Sequence, residues 1–291
     1  MVVFVKKIIK INIKENIDKY VGLVDGFILG ISNFSVDFDC LFNINEIKKI
    51  CSKYADKEIF LSMNKNIFNS ELEELETLLS ELSKLDVKIL FYDMSILFLN
   101  NKNNLNLDLV WNQTHMVTNY NTCNYYYNKG VKYGLCSGEV TLDEIIEMNK
   151  KTNMKLLVYV LGHQVMSFSR RKLLTNYYKS IDETYDGNKK EIFDHDKKYI
   201  VSESIDGTVI KTGKILNGIS VIPILLNENI DYIVIDESYI ECDKIIEGLK
   251  IIDNIVNSIN VEDNIAQSKE IFEDDTSFFY KKTIYKVKGD K

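Results

Sequence analysis

Arginine is nearly absent from this sequence. Of the 36 basic residues, only Arg170 and Arg171 are arginines, and they lie side by side in the stretch SFSRRKLL. The chain is rich in Ile, Asn and Lys and has one proline and one tryptophan, a composition typical of A/T-rich coding, which replaces arginine with lysine. The net charge of −7 does not indicate a general electrostatic affinity for nucleic acid, so an RNA-binding function would need a local basic patch.

Long hydrophobic runs are also missing. No apolar run approaches the roughly 18 residues of a membrane-spanning helix. The first residues, MVVFVKKIIKINIKEN, carry lysines within a short apolar patch, and no small-residue cleavage site follows, which argues against a signal peptide. We therefore expect a cytoplasmic protein with no membrane partner.

Cysteines are few and scattered. The five of them are odd in number, and no two have the spacing C-x-x-C. This pattern argues against a disulfide framework and against a structural zinc or iron–sulfur site. Free thiols in a reducing compartment are the simplest interpretation.

Strand-like and helix-like patterns alternate along the chain. Two helix starts have capping-box spacing, Ser70 with Glu73 and Thr141 with Glu144. Such alternation predicts parallel β/α units, and eight continuous apolar strands favour a (β/α)8 TIM-type barrel over an open sheet. The eight predicted strands are 4–11, 24–31, 58–64, 88–94, 108–114, 133–140, 155–164 and 232–238.

The predicted barrel occupies residues 1–259 and contains one long interruption. Residues 165–218 form an insertion after the seventh strand, and the Asp206-Gly207 pair within it predicts a β-hairpin turn. Residues 260–291 form a C-terminal extension, in which alternating residues such as Ile284 and Lys286 suggest an edge strand.

Polar side chains lie at the predicted carboxyl ends of six strands, which converge on one mouth of a barrel. Glu139 is the candidate general base, with Asp93 or Asp236 as its partner, and the amides would orient a substrate. The alternative for each residue is a helix cap or a loop contact. The six residues are Asn64, Asp93, Gln113, Glu139, Gln164 and Asp236.

Arg170 and Arg171 are candidates for anion binding, because only a guanidinium pairs two-on-two with carboxylate or phosphate. We expect at least one of them at the barrel mouth, near Glu139 or Asp236. The alternative is an ion pair that braces the insertion. His115 and His163 follow strands five and seven, but no zinc-protease spacing such as H-E-x-x-H occurs, and no metal is predicted.

Several stretches, taken in order, resemble the U32 peptidase family, also called collagenase-like proteases. Within the central signature, Asn119, Gly130 and Glu139 match the family pattern. The resemblance extends over about nine-tenths of the chain, and it implies substrate-binding roles for Asn119 and His163. The stretches are VDGFILGISNFS, LSMNKNIFNSELEEL, WNQTHMVTNYNTCNYYYNKGVKYGLCSGEVTLDEI, LLVYVLGHQVMSFSRRKLLTNYY and VSESIDGTVI.

The resemblance implies three alternative functions. The first is a subunit for 5-hydroxylation of the tRNA wobble uridine, with prephenate as the oxygen-linked metabolite and tRNA as a partner. The second is a peptidase, although no G-x-S-x-G and no Cys/His signature supplies a nucleophile. The third is a non-catalytic scaffold for a longer family member. Such longer members carry iron–sulfur cysteines where this chain has Val165 and Lys172, so we predict that this chain holds no cluster.

Overall fold

The computed structural model describes residues 5–113, 115–195 and 197–281. The strands are β1 (Lys6–Lys10), β2 (Gly26–Ile31), β3 (Leu41–Phe42), β4 (Glu58–Met63), β5 (Lys88–Phe91), β6 (Asp108–Trp111), β7 (Tyr133–Leu135), β8 (Lys155–Gly162), β9 (Val165–Ser169), β10 (Lys190–Asp194), β11 (Lys197–Ser204), β12 (Gly207–Thr212), β13 (Leu216–Asn217) and β14 (Tyr232–Asp236). The α-helices are α1 (Ile17–Tyr20), α2 (Ile44–Lys53), α3 (Leu72–Leu82), α4 (Met94–Lys102), α5 (Tyr120–Tyr127), α6 (Leu142–Lys151), α7 (Leu173–Ser180), α8 (Ile222–Asn227), α9 (Cys242–Val256) and α10 (Val261–Phe272).

Eight parallel strands form a closed barrel. They are β1, β2, β4, β5, β6, β7, β8 and β14, and β1 closes the ring by pairing with both β2 and β14. Each lies within one of the eight runs predicted from the sequence, so the (β/α)8 fold is confirmed. The predicted strands are longer than the observed ones because the polar residue after each strand belongs to the loop at the mouth.

Apolar side chains cover both faces of the barrel strands. Inside, residues such as Ile8, Phe60 and Val234, with others from all eight barrel strands, form a central core, whereas a second apolar cluster joins the opposite faces of the strands to the helices. Glu58 closes the amino-terminal end of the interior, where it pairs with Lys88 at 2.8 Å and accepts a hydrogen bond from the Tyr232 hydroxyl at 3.1 Å. The open end is therefore the carboxyl end of the strands.

Of the two capping boxes predicted from the sequence, one is present in the structure and the other is not. The Thr141–Glu144 capping box is present at α6, as expected. The Ser70–Glu73 box is not. The chain instead enters a short 3₁₀ turn at 69–71, in which the Glu71 carboxylate accepts from the Phe68 backbone N–H, and α3 begins only at Leu72.

The insertion folds as a separate antiparallel sheet of order β10-β11-β12-β9. Strands β11 and β12 pair antiparallel, with Ser204 opposite Gly207 and the connection at 205–206. Gly207 has a φ of 137°, and a Cβ there would lie 2.1 Å from the Ser169 carbonyl oxygen, so glycine is required. The sheet lies beside the barrel mouth and delivers residues from β12 to it.

After the barrel, α10 packs along α9 and buries Phe272 completely. The chain then returns to the mouth, where Phe279 is buried and the Ser277 hydroxyl donates to the Gln164 side chain at 2.8 Å. The expected edge strand beyond residue 281 lies outside the described residues. No helix in the described ranges has the length and apolarity needed to cross a membrane.

Candidate functional site

A cavity of about 100 Å³ opens at the carboxyl ends of the barrel strands. Leu90, Leu135, Phe38 and Tyr159 contribute apolar surface. The polar lining comes from the strand ends and loops, with Lys10, Asp37, Ser62, Asn64, Asn112, His115, Ser137, Glu139, His163, Gln164 and Asp236. This is the face on which barrel enzymes build active sites.

Four charged side chains form a buried cluster at this mouth, which we call the ion cluster: Lys10, Asp37, Lys211 and Asp236. Lys10 Nζ lies 2.6 Å from Asp37 Oδ2 and 3.2 Å from Asp236 Oδ2. Lys211 Nζ lies 2.9 Å and 3.2 Å from the same two oxygens. The four side chains are between 1% and 8% exposed. Each ammonium is therefore shared by two carboxylates, and the cluster carries no net charge.

The fold explains how these four residues meet. Lys10 and Asp236 are the last residues of paired strands β1 and β14, in register with each other. Asp37 comes from the loop after β2 and has a φ of 64°. Lys211 comes from β12 of the insertion. Gly162, at the end of β8, has a φ of 132°, and a Cβ there would lie 2.8 Å from the Asp236 Cβ.

Electrostatics favour the charged forms of Lys10 and Asp236. Burial alone would lower the pKa of Lys10, but Asp236 and Asp37 outweigh burial and raise the pKa above its ordinary value. Burial alone would raise the pKa of Asp236, but Lys10 and Lys211 hold that pKa well below its usual range. Asp236 also accepts from the Ser238 backbone N–H at 2.8 Å. The Lys10 ammonium lines the cavity but is already paired with two carboxylates, so the cluster offers a ligand polar contacts and no net positive charge.

Five of the ten predicted site residues line the cavity. Asp236 belongs to the ion cluster. Glu139 is exposed, and its carboxylate lies 3.9 Å from His115 Nδ1. The Asn64 side chain accepts from the Val36 N–H and donates to the Val36 carbonyl, which fixes the loop that carries Asp37. His163 Nδ1 lies 2.8 Å from the Thr212 carbonyl oxygen, and burial lowers the pKa of its ring. Gln164 completes the five.

Three others serve the scaffold instead. Asp93 was expected as a catalytic partner, but its carboxylate caps α4 through the Ser95 N–H at 2.9 Å and accepts from Ile67 N at 3.0 Å. Gln113 donates to the Tyr92 carbonyl oxygen at 2.6 Å and accepts from the Trp111 ring N–H at 3.0 Å. Asn119 caps α5 through Thr122 N. None of the three lines the cavity as described.

The two arginines also lie away from the cavity, contrary to the expectation that one would be near Glu139 or Asp236. The Arg170 guanidinium stacks on the Phe68 ring, 3.5 Å from its centroid, and donates to the Asn66 carbonyl oxygen at 3.1 Å. Arg171 is exposed. A planar guanidinium suits an aromatic face, which explains the position of Arg170.

A model of Peptidase family U32 matches residues 12–285 of the sequence. The chain belongs to the U32 peptidase family. It is similar to the tRNA hydroxylation protein P2 of Bacillus subtilis (strain 168), with 25% identity over 284 residues that cover 89% of this chain and 92% of the relative. The solved structure of the U32 peptidase Mk0906 matches with a TM-score of 0.52 and 10% identity over 81% of this chain and 94% of that one. At this identity the structural likeness supports the barrel fold alone.

For this U32 family member, the resemblance read from the sequence is confirmed. Among the described residues, no group of three or more His, Cys, Asp and Glu side chains is placed to hold a metal ion. Nor does any described serine, threonine or cysteine side chain hydrogen-bond to a histidine side chain, so the described geometry contains no preformed pair of a hydroxyl or thiol with a histidine base.

The sequence reading missed three of the four members of the ion cluster. Lys10 and Lys211 are ordinary among many lysines, and Asp37 lies in a loop with no motif. The sequence does contain one indication that Lys211 is buried. In TVIKT, Lys211 has the same strand parity as the buried Val209, so alternation predicts an apolar residue there. A lysine at an inward position needs a buried partner.

Proposed function

We propose that this protein is a subunit for 5-hydroxylation of a tRNA uridine, and that the cavity at the barrel mouth is its reaction site. The observation that carries the proposal is the similarity to tRNA hydroxylation protein P2 along nearly the whole chain. The cavity supports it, because a small mouth with a neutral ion cluster and an exposed carboxylate, Glu139, suits a polar ligand.

The peptidase alternative has less support from the site. Hydrolysis of a peptide by nucleophilic catalysis needs a hydroxyl or thiol in contact with a base. Burial raises the pKa of Cys136, the only cysteine among the described cavity residues, which makes it a poor nucleophile.

Nucleoside mass spectrometry of tRNA from a deletion strain tests the main proposal. We expect loss of 5-hydroxyuridine derivatives and their return with the wild-type gene. Unchanged derivatives, in an organism that makes them and has no redundant pathway, would refute it. The proposal includes prephenate dependence, so a strain unable to make prephenate should lose the same derivatives even with the protein present.

A cavity variant separates a reaction site from a scaffold. Glu139→Gln keeps size and removes the charge of an exposed side chain, so folding should be retained. We expect at least about a tenfold drop in modified tRNA, because a general base contributes about 10²- to 10⁴-fold to a reaction rate. Glu147→Gln, on the outer face of α6, is the matched control. Full complementation by Glu139→Gln would favour the scaffold.

A further inference from the structure

Two features of the barrel mouth point to a larger ligand than the cavity alone would hold. The first is Asn112, which follows β6, lines the cavity and is 7% exposed. Its Oδ1 is buried and has no hydrogen-bond partner, and no hydrogen bond of its amide nitrogen is found within the described chain. A buried amide oxygen without a partner costs about 1–3 kcal/mol, which points to a ligand that supplies a donor.

The second feature is a cleft of about 610 Å³ beside the cavity. Gln164, Met166 and Phe278 line both, so the two spaces adjoin. The cleft carries four lysines: Lys197, Lys198, Lys214 and Lys281.

The charges of the cleft favour an anion. Lys198 pairs with Glu191 at 2.6 Å, whereas the other three lysines have no ion-pair partner in the ranges that the structure covers. Two acidic residues, Glu273 and Asp275, also line the cleft, so lysines outnumber acids there. Residues 165–218 contain ten basic and eight acidic residues, in a chain of net charge −7. The insertion therefore carries an excess of two positive charges and contributes three of the four lysines in the cleft.

We propose that the cleft binds the phosphates of an RNA loop and that the cavity receives a flipped-out uracil, whose C4 carbonyl and N3–H pair with the Asn112 amide. An amide has one donor group and one acceptor, and that edge of uracil has the complementary pair. Enzymes that act on a base hold it by its Watson–Crick edge and against apolar or aromatic side chains, here Phe38 and Tyr159. The inference rests on the proposed function and specifies its RNA site.

Binding of a fluorescent RNA hairpin to the full-length protein tests the cleft. The probe carries one uridine in a seven-nucleotide loop, and anisotropy gives Kd over a series of salt concentrations. Lys197→Glu with Lys214→Glu should weaken binding at least about tenfold and reduce the salt slope, because phosphate contacts release counterions. Lys84→Glu with Lys250→Glu, an equal charge change in the turn after α3 and on α9, is the control. Equal effects of the two pairs, or no binding by the wild type, would overturn the proposal.

The base contact has its own probe, a hairpin with N3-methyluridine at the target position. The methyl group removes the N3–H donor, so wild-type binding should weaken about tenfold relative to uridine. Asn112→Ala should weaken binding of the uridine hairpin to a similar extent and lose the discrimination. Asn112→Ser keeps a smaller polar group in case alanine disturbs folding. Equal wild-type affinity for both hairpins would refute the base contact, whatever the variants do. Nucleoside analysis in cells is independent, so failure of binding and failure of the proposed function can be distinguished.

Discussion

Among the side-chain contacts that connect the insertion to the barrel, those of Lys211 and Arg170 use different chemistry. Lys211 from β12 enters the mouth and completes the ion cluster at 1% exposure. Arg170, just after β9, lies on the rim and stacks on Phe68. Arg170, one of only two arginines in the chain, makes the more exposed contact, whereas Lys211, one of many lysines, makes the buried one. Rarity reflects codon usage as well as need, but burial of a charge always demands partners.

The two contacts should also differ in how much they stabilise the protein. A buried charge that loses its partner costs several kcal/mol, whereas an exposed cation–π contact contributes about 0.5–1 kcal/mol. The ion cluster should therefore contribute more to the attachment of the insertion than Arg170 does, and Arg170 should add a small further stabilisation. Four predictions test this order, from the largest expected effect to the smallest.

Asp236→Asn should destabilise the protein most. It leaves Lys10 and Lys211 with Asp37 as their remaining carboxylate, and we expect a loss of about 3–5 kcal/mol in the free energy of unfolding. Urea denaturation followed by circular dichroism measures it. Asp243→Asn, exposed in the first turn of α9, is the control. A loss below 1 kcal/mol would mean that the cluster does not stabilise the fold.

Neutralising one carboxylate and one ammonium together should cost less than the sum of the single changes. Lys211→Met and Asp37→Asn each leave an unbalanced charge, whereas the double variant restores neutrality. Their ammonium and carboxylate are 2.9 Å apart, so we expect a coupling energy of about 0.5–3 kcal/mol from the double-mutant cycle. Additive losses would show that the two residues act separately and that the insertion is held by other contacts.

The sequence predicted the barrel strands but not all of the residues that meet at the mouth. The periodicity of apolar residues predicted all eight barrel strands, because burial on both faces of a parallel strand leaves a continuous apolar run. It also predicted five cavity residues, since strand ends converge. Apolar periodicity could not predict which residues from outside the barrel strands lie beside these five. Asp37 reaches the mouth through loop geometry. Lys211 reaches it through the sheet of the insertion, in which β12 pairs with the edge strand β9 between residues 41 apart in the chain, such as Val209 and Phe168. Those placements depend on tertiary contacts that have no local pattern.

Acid should remove part of the Asp236 contribution. The pKa of Asp236 is lowered in the folded state, so its stabilisation is complete above the ordinary pKa of about 3.9 and falls as pH drops below it toward the folded value. The stability difference between wild type and Asp236→Asn should shrink by about 1 kcal/mol between pH 5 and pH 3. Urea denaturation at both pH values measures this. A difference that grows on acidification would contradict the lowered pKa.

The smallest effect is expected at the arginine. Arg170→Lys keeps the charge but loses the planar face on Phe68 and the bond to the Asn66 carbonyl, and Arg171→Lys is the adjacent control, because the described residues offer the Arg171 guanidinium no hydrogen bond or ion pair. A loss of about 0.5–1 kcal/mol corresponds to a two- to fivefold rise in local opening of the insertion. Native-state hydrogen exchange of the amides in β11 and β12 measures that opening, which global unfolding would hide. Equal exchange in the two variants would show that the stacking on Phe68 adds nothing beyond charge, and the ion cluster would then hold the insertion without help from this stacking.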